Sequence, residues 1–157
     1  MTGRVIDMKR RQLLLGVAAL PLVQALPSLA ATPSVLVYKD PSCGCCTGWV
    51  EHLKSAGFSV TVRDVVDTNP ERRRLGMPEA FAGCHTATVA GYVLEGHVPA
   101  AEVQRLLGDR PAAIGLAVPG MPFGSPGMEV GGRIDPYDVL LVGRNGQASV
   151  FATYPKT

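Results

Sequence analysis

The stretch Val35-Leu36-Val37-Tyr38-Lys39-Asp40-Pro41-Ser42-Cys43-Gly44-Cys45-Cys46 decides how this chain is read, because an apolar run passes directly into a turn that carries thiols. The run is that of a buried strand. After the turn comes a helix, with Trp49, Val50, Leu53 and Ala56 on one face and Gly57 as a stop. A strand, a tight turn and a helix in this order place sulfur at a helix N-terminus. There the dipole and the unpaired N–H groups favour thiolate over thiol. Thiolate is both a nucleophile and a soft-metal ligand, so redox chemistry and metal binding are open together.

Outward from this turn, Phe58-Ser59-Val60-Thr61-Val62-Arg63 alternates apolar with polar, the pattern of a strand with one face inward. Strand, helix and strand with short links imply a right-handed crossover and a parallel pair. Asn69-Pro70-Glu71 opens a short helix with Asn69 as its cap, and Gly76 and Pro78 end it. From Ala82 to Val98 the chain reads as two strands joined by a tight turn at Glu95-Gly96. Pro99 begins another helix, with Val103, Leu106 and Leu107 inward and Gly108 beyond its end. The segment from Pro119 to Glu129 is too rich in Gly and Pro for helix or strand and too apolar for a free linker, so an ordered loop laid across the body is expected. Asp138 to Gly143 and Gln147 to Tyr154, split by Asn145-Gly146, form a closing hairpin. The order of elements is that of an α/β, thioredoxin-like domain: a mixed sheet flanked by helices, with an added C-terminal β-hairpin.

The chain has 157 residues, enough for one domain of ordinary size. Its first thirty stand apart from the fold. Lys9-Arg10-Arg11 precedes the apolar run Leu13 to Leu20, and Ser28-Leu29-Ala30 has the small-x-small pattern of a signal-peptidase site. Residues 1–30 are therefore expected to be a cleaved signal peptide and 31–157 the functional domain, exported to the periplasm. Pro21, Gln24 and Pro27 break the apolar stretch, which argues against a stable membrane anchor. Arg10-Arg11 also resembles the start of a twin-arginine signal. Of the 15 basic and 13 acidic residues, the leader holds Arg4, Lys9, Arg10, Arg11 and Asp7, which leaves 11 basic and 12 acidic in the remainder. A domain with net charge near −1 has no broad basic face for nucleic acid. Arg72-Arg73-Arg74 reads by default as a solvated helix face.

All 4 cysteines lie in the exported part, where thiols oxidise unless paired or metal-bound. Two structural disulfides are the plain account. But Cys43, Cys45 and Cys46 crowd one turn with a single distant partner, Cys84, whereas a stapled scaffold spreads its cysteines to close long loops. Cys43 and Cys46 frame a Cys-x-x-Cys motif that would suit thiol-disulfide exchange. Cys45 between them could trap either one, and no proline stands in Thr86-Ala87-Thr88-Val89-Ala90, where oxidoreductases of this fold set a cis-proline against the motif.

A metal site uses more of what is present. Thiolate, thioether and imidazole select Cu(I), and the chain offers Cys43, Cys45, Cys46, Cys84, His85, His97, Met121 and Met128. Zinc is the competitor, since four cysteines can close a tetrahedral site. Adjacent Cys45 and Cys46 project in different directions, which favours thiolates bridging several copper ions over one shared ion. His85, directly after Cys84, is the stronger histidine candidate and His97 the weaker; His52 reads as a surface residue and Trp49 as core. Met121 and Met128 are candidate ligands or shields, with gap-filling as their ordinary role.

Tyr38-Lys39-Asp40-Pro41-Ser42-Cys43-Gly44-Cys45-Cys46 with Trp49, Cys84-His85-Thr86-Ala87, Gly91-Tyr92 with Glu95-Gly96-His97-Val98-Pro99, and Pro119-Gly120-Met121-Pro122 with Gly124-Ser125-Pro126-Gly127-Met128-Glu129 together resemble the exported CopG-type copper-resistance proteins. The resemblance runs from about Val35 to Tyr154. It implies a thioredoxin-like fold, a cysteine-bridged cluster of more than one copper ion on the four cysteines, and a role in periplasmic copper handling alongside other copper-handling proteins. Copper redox activity is a further implication, so an oxidoreductase remains the alternative to a binding protein.

Overall fold

The computed structural model of the protein describes residues 32–156, so the expected leader, residues 1–30, lies outside the described residues. Seven strands form one mixed sheet in the order β2-β1-β3-β4-β5-β6-β7. They are β1 (Ser34–Lys39), β2 (Ser59–Asp64), β3 (His85–Val89), β4 (Tyr92–Glu95), β5 (Ala113–Ala117), β6 (Tyr137–Gly143) and β7 (Ala148–Tyr154). The helices are α1 (Gly44–Ser55), α2 (Asn69–Arg74) and α3 (Ala100–Asp109), with a 3-10 turn at Glu79–Phe81. β1 pairs β2 in parallel across the α1 crossover and β3 antiparallel on its other side. The expected mixed sheet with flanking helices and a closing hairpin is the observed architecture.

Alternation along the strands sends their side chains to two faces. One face holds the larger core, where Trp49, Val50 and Leu53 of α1 and Val103 and Leu106 of α3 meet Val35, Val37, Val89, Leu94, Leu116 and Val139. The other face holds Met77, Val93, Ala117 and Val142, covered by Leu75, Phe81 and Ile114. α1 packs on the first of these faces beside β2, and its N-terminus follows the turn after β1.

Several expectations are corrected. β2 is the sheet edge: Val60 is only half-buried against the core and Val62 is 38% exposed, so the alternating run has no fully covered face. Thr68, not Asn69, is the cap of α2, and it makes no side-chain capping bond; Asn69 and Pro70 are its first helical residues. The tight turn of the β3–β4 hairpin falls at Ala90-Gly91, both at positive φ, rather than at Glu95-Gly96. α3 runs through Gly108 and ends at Arg110, which takes the left-handed conformation usual for a helix C-cap. β5, read only as part of a change in texture, pairs in parallel with β4 and links it to the hairpin.

Candidate metal centre

The turn after β1 folds as its residues require. Asp40 Oδ1 accepts bonds from the Ser42 backbone N–H at 2.7 Å and hydroxyl at 2.5 Å, which fixes an Asx turn and holds the Asp40 carboxyl below the usual range. Cys43 then caps α1, its extended backbone aiming its sulfur at the Cys46 N–H, 3.3 Å away. The capping role that Ser or Asp usually fills is here taken by a thiol sulfur.

Cys43 and Cys46 form a disulfide, while Cys45 and Cys84 are free. The plain account of two structural disulfides is therefore not met. A bond closing a loop of sequence separation 3 also constrains the unfolded chain less than a long one would. Cys45 Sγ stands 3.5 Å from Cys43 Sγ, the trapping position expected for a thiol inside the motif.

Cys84 arrives just ahead of β3, the strand next to β1, and its Sγ is 3.4 Å from Cys46 Sγ. The sulfurs of Cys43, Cys45, Cys46 and Cys84 all lie within 4.8 Å of one another. The expected divergence of Cys45 and Cys46 is thus too small to take either sulfur out of the group. Burial first, and then Cys45 beside it, push the Cys84 thiol up to about 12.

Both candidate histidines meet Cys84. His85 Nδ1 lies 3.4 Å from Cys84 Sγ, and His97 Nε2 lies closer, at 3.0 Å. His97 is thus the nearer of the two to Cys84 Sγ. His97 turns inward because its Nδ1 sits 2.7 Å from the Pro126 carbonyl oxygen, and its signal in the sequence was the Gly-His-Val-Pro run after a strand. His85 is fully buried against the Trp49 ring, centroids 4.3 Å apart, and burial followed by neighbouring His97 lowers it to about 3. Burial lowers His97 as well. Trp49 is core as expected, with Nε1 donating to the Val98 carbonyl at 2.8 Å.

A buried ion pair fixes the Cys84 segment. Glu95, at the end of β4, accepts from Arg72 Nε at 2.9 Å and the Gly83 N–H at 2.7 Å through one oxygen, and from Thr86 Oγ1 at 2.6 Å through the other. Arg72 also donates to the Gly83 carbonyl at 3.1 Å and to Asn69. Burial pushes the Glu95 carboxyl up, and the bonds from Thr86, Gly83 and Arg72 oppose that rise. Arg72 is 2% exposed, so the solvated reading of Arg72-Arg73-Arg74 fails at its first member. Nothing in a run of three arginines distinguishes the one whose partner lies 23 residues away. Gly83 is needed here because a Cβ on it would come within 2.7 Å of the Gly96 Cα, so the Cys84 and His97 loops lie backbone to backbone.

The Pro-Gly loop is ordered and lies over the start of α1. Gly127 has φ 84°, and a Cβ there would stand 2.4 Å from the Cys45 carbonyl oxygen and 2.7 Å from the Trp49 nitrogen. Met128 is therefore adjacent in sequence to the loop's contact with the cysteine turn, and is half-buried; Met121 is 53% exposed. His52, read as a surface residue, is half-buried and accepts the Ala100 N–H at 3.0 Å, capping α3 where Pro99 has no side-chain bond to offer.

Four sulfurs and two imidazoles converging on a helix start can exchange disulfides or gather a soft cation. The donor set fits such a cation, since thiolates and imidazoles within 4.8 Å of one another are the ligands that soft metals take. No helix among the described residues is long and apolar enough to cross a membrane. Comparison with known proteins agrees with the geometry. Residues 81–128, from the 3-10 turn through the Met128 loop, match the family described as protein of unknown function, DUF411. A comparison with curated proteins finds no match. The chain is 47% identical to a solved structure named copper resistance protein CopG, form 2, covering 79% of this chain and 99% of that one with a TM-score of 0.75. Form 1 of the same protein is also 47% identical over 78% and 98%, with a TM-score of 0.74. With 47% identity to that structure over nearly its whole length, the chain belongs to the CopG copper-resistance family.

Proposed function

We propose that the protein is an exported Cu(I)-binding protein of copper resistance or homeostasis. It holds more than one ion on Cys43, Cys45, Cys46 and Cys84 once the Cys43–Cys46 disulfide is reduced. The observation that carries this reading is the gathering of four sulfurs within 4.8 Å of one another. Four thiolates in so small a space repel strongly, and a single Cu(I) would offset only a quarter of their charge. Several ions bridged by thiolate relieve both the charge and the geometry, and soft sulfur selects Cu(I) over harder cations. His85 and Met128 complete or shield the site, and Met121 is the more exposed contributor. Export through the leader in residues 1–30 would place the site in the periplasm.

Anaerobic titration of phosphine-reduced protein with Cu(I), followed by elemental analysis and thiol counting, tests this. Uptake of several ions per chain is expected, and a variant with all four cysteines changed to serine should take up none. Equal uptake by the two would end the reading.

The Cys43–Cys46 disulfide at a helix start favours a second reading, a thiol-disulfide or copper oxidoreductase. Reduction of insulin by the apoprotein would support the thiol reaction. Cycling of copper valence, followed by absorbance and spin resonance, would support the copper one.

A further inference from the structure

The same cluster contains a second donor set that does not need the disulfide to open. Cys84 Sγ, a His85 ring nitrogen and a His97 ring nitrogen lie within 4.8 Å of one another, and neither Cys43 nor Cys46 is among them. We propose that the disulfide form of the protein holds a divalent cation of intermediate softness, of the zinc or cobalt class, on Cys84, His85 and His97. This rests on reading Cys84 as a metal-binding thiol.

Three features of the structure point to a ligand here. First, the Pro126 carbonyl can only accept, so at 2.7 Å it fixes the proton on His97 Nδ1 and leaves the Nε2 lone pair facing Cys84 Sγ at 3.0 Å. An imidazole whose far nitrogen is tied to a carbonyl is the arrangement metal-binding histidines use. Second, His85 is fully buried with its Nδ1 3.4 Å from the same sulfur, so its ring can supply a second imidazole nitrogen beside Cys84. Third, the spacing suits an ion. A tetrahedral cation at about 2.3 Å from sulfur and about 2.0 Å from nitrogen sets those atoms roughly 3.5 Å apart, close to the separations found.

The donor set decides the class of ion. One thiolate with two imidazoles suits zinc, cobalt and cupric ions, whereas the four-thiolate group of the reduced form suits Cu(I). Three protein ligands leave a fourth position for water. Binding displaces the Cys84 proton to solvent and forms the metal–sulfur bond, with no change of oxidation state. Because Cys84 belongs to both groups, the two loadings compete for one sulfur.

The test uses protein purified in air, with mass measurement confirming the Cys43–Cys46 disulfide, and Co(II) as the probe. Saturable binding of one equivalent is expected, with tetrahedral d–d bands and a sulfur-to-cobalt charge-transfer band from a single thiolate. Cys84→Ser should abolish the charge-transfer band. His97→Gln should weaken binding at least about tenfold. Glu102→Gln, on α3, should leave the spectrum unchanged. Should a histidine variant fail to fold, the imidazole resonances of both His85 and His97 in unmodified protein must shift on adding Zn(II). No saturable spectrum at millimolar Co(II), a band that survives Cys84→Ser, or an unshifted imidazole overturns the proposal. Oxidised protein that ignores Co(II) beside reduced protein that takes up Cu(I) removes this site alone. Failure of the Cu(I) titration with retention of the cobalt spectrum removes the other.

Discussion

The two sides of the sulfur cluster are built in opposite ways. Cys43 and Cys45 stand on a partly exposed helix start whose shape comes from residues within a few positions of one another. Cys84, His85 and His97 are set by partners far away in sequence: Arg72 and Glu95 across 23 residues, and Pro126 across 29. The first side can lose a side chain without disturbing the fold. The second cannot, because its ligands share a floor with buried charge and core.

This contrast breaks most visibly at Glu95. Glu95→Ala leaves the Arg72 guanidinium buried and unpaired, and the Gly83 N–H and Thr86 hydroxyl without their acceptor, so a loss of about 4 kcal/mol is expected in urea unfolding. A loss below about 1 kcal/mol would mean that the ion pair does not hold the floor. Gly127→Ala tests the loop that joins the two sides. A side chain there is strained by the positive φ and strikes the Cys45 carbonyl, so a loss of about 2 kcal/mol, read in the same way, should accompany a shift in the Cys45 amide resonance.

Glu102 provides a comparison away from the cluster. It accepts from Tyr154 and Lys156, both at 2.8 Å, with Arg105 at 3.4 Å, and so ties the closing hairpin to α3. Burial would raise its carboxyl, but the bonds from Lys156 and Tyr154 and the nearby Arg105 lower it overall. A carboxyl held below its unfolded range stabilises fully above that range and loses the contribution as pH falls through the folded value. Lys156 is largely exposed, so solvent screening keeps the worth of the contact to about 1 kcal/mol. Glu102→Gln should remove that much at neutral pH, flatten the acid limb of the stability curve, and leave Cu(I) uptake unchanged. The smallest effect on stability is expected at Cys45→Ser, within about 0.5 kcal/mol by thermal melt, yet its Cu(I) stoichiometry should fall. A variant that melts normally and binds less is the clearest mark of the exposed side.

The same contrast explains what could be read from the sequence. β1, α1, the closing hairpin and the gathering of three cysteines were legible because each is written in a short window: an apolar run, a helical face, an Asn-Gly turn, a spacing of two and three. Cys84 was legible as the remaining partner. β5 was not, since Ala-Ile-Gly-Leu-Ala has a glycine at its centre and little β-branching, and gains its strand form by pairing between β4 and β6. The hairpin turn was misplaced because Ala90 adopts positive φ, which alanine rarely does, while Gly96 at the other end offered the more usual signal. Arg72 and His97 were underestimated for one reason: their roles depend on a carboxylate and a carbonyl that only folding brings near.

The sulfur of Cys43 has one more consequence. It is both half of the disulfide and the acceptor for the Cys46 N–H at the head of α1. Reduction cuts the covalent tie, but a thiolate is a far stronger acceptor than a disulfide sulfur and lies at the positive end of the helix. The opened form can therefore keep its first turn wound, so cargo would meet ligands already in formation and little ordering would remain to oppose its arrival.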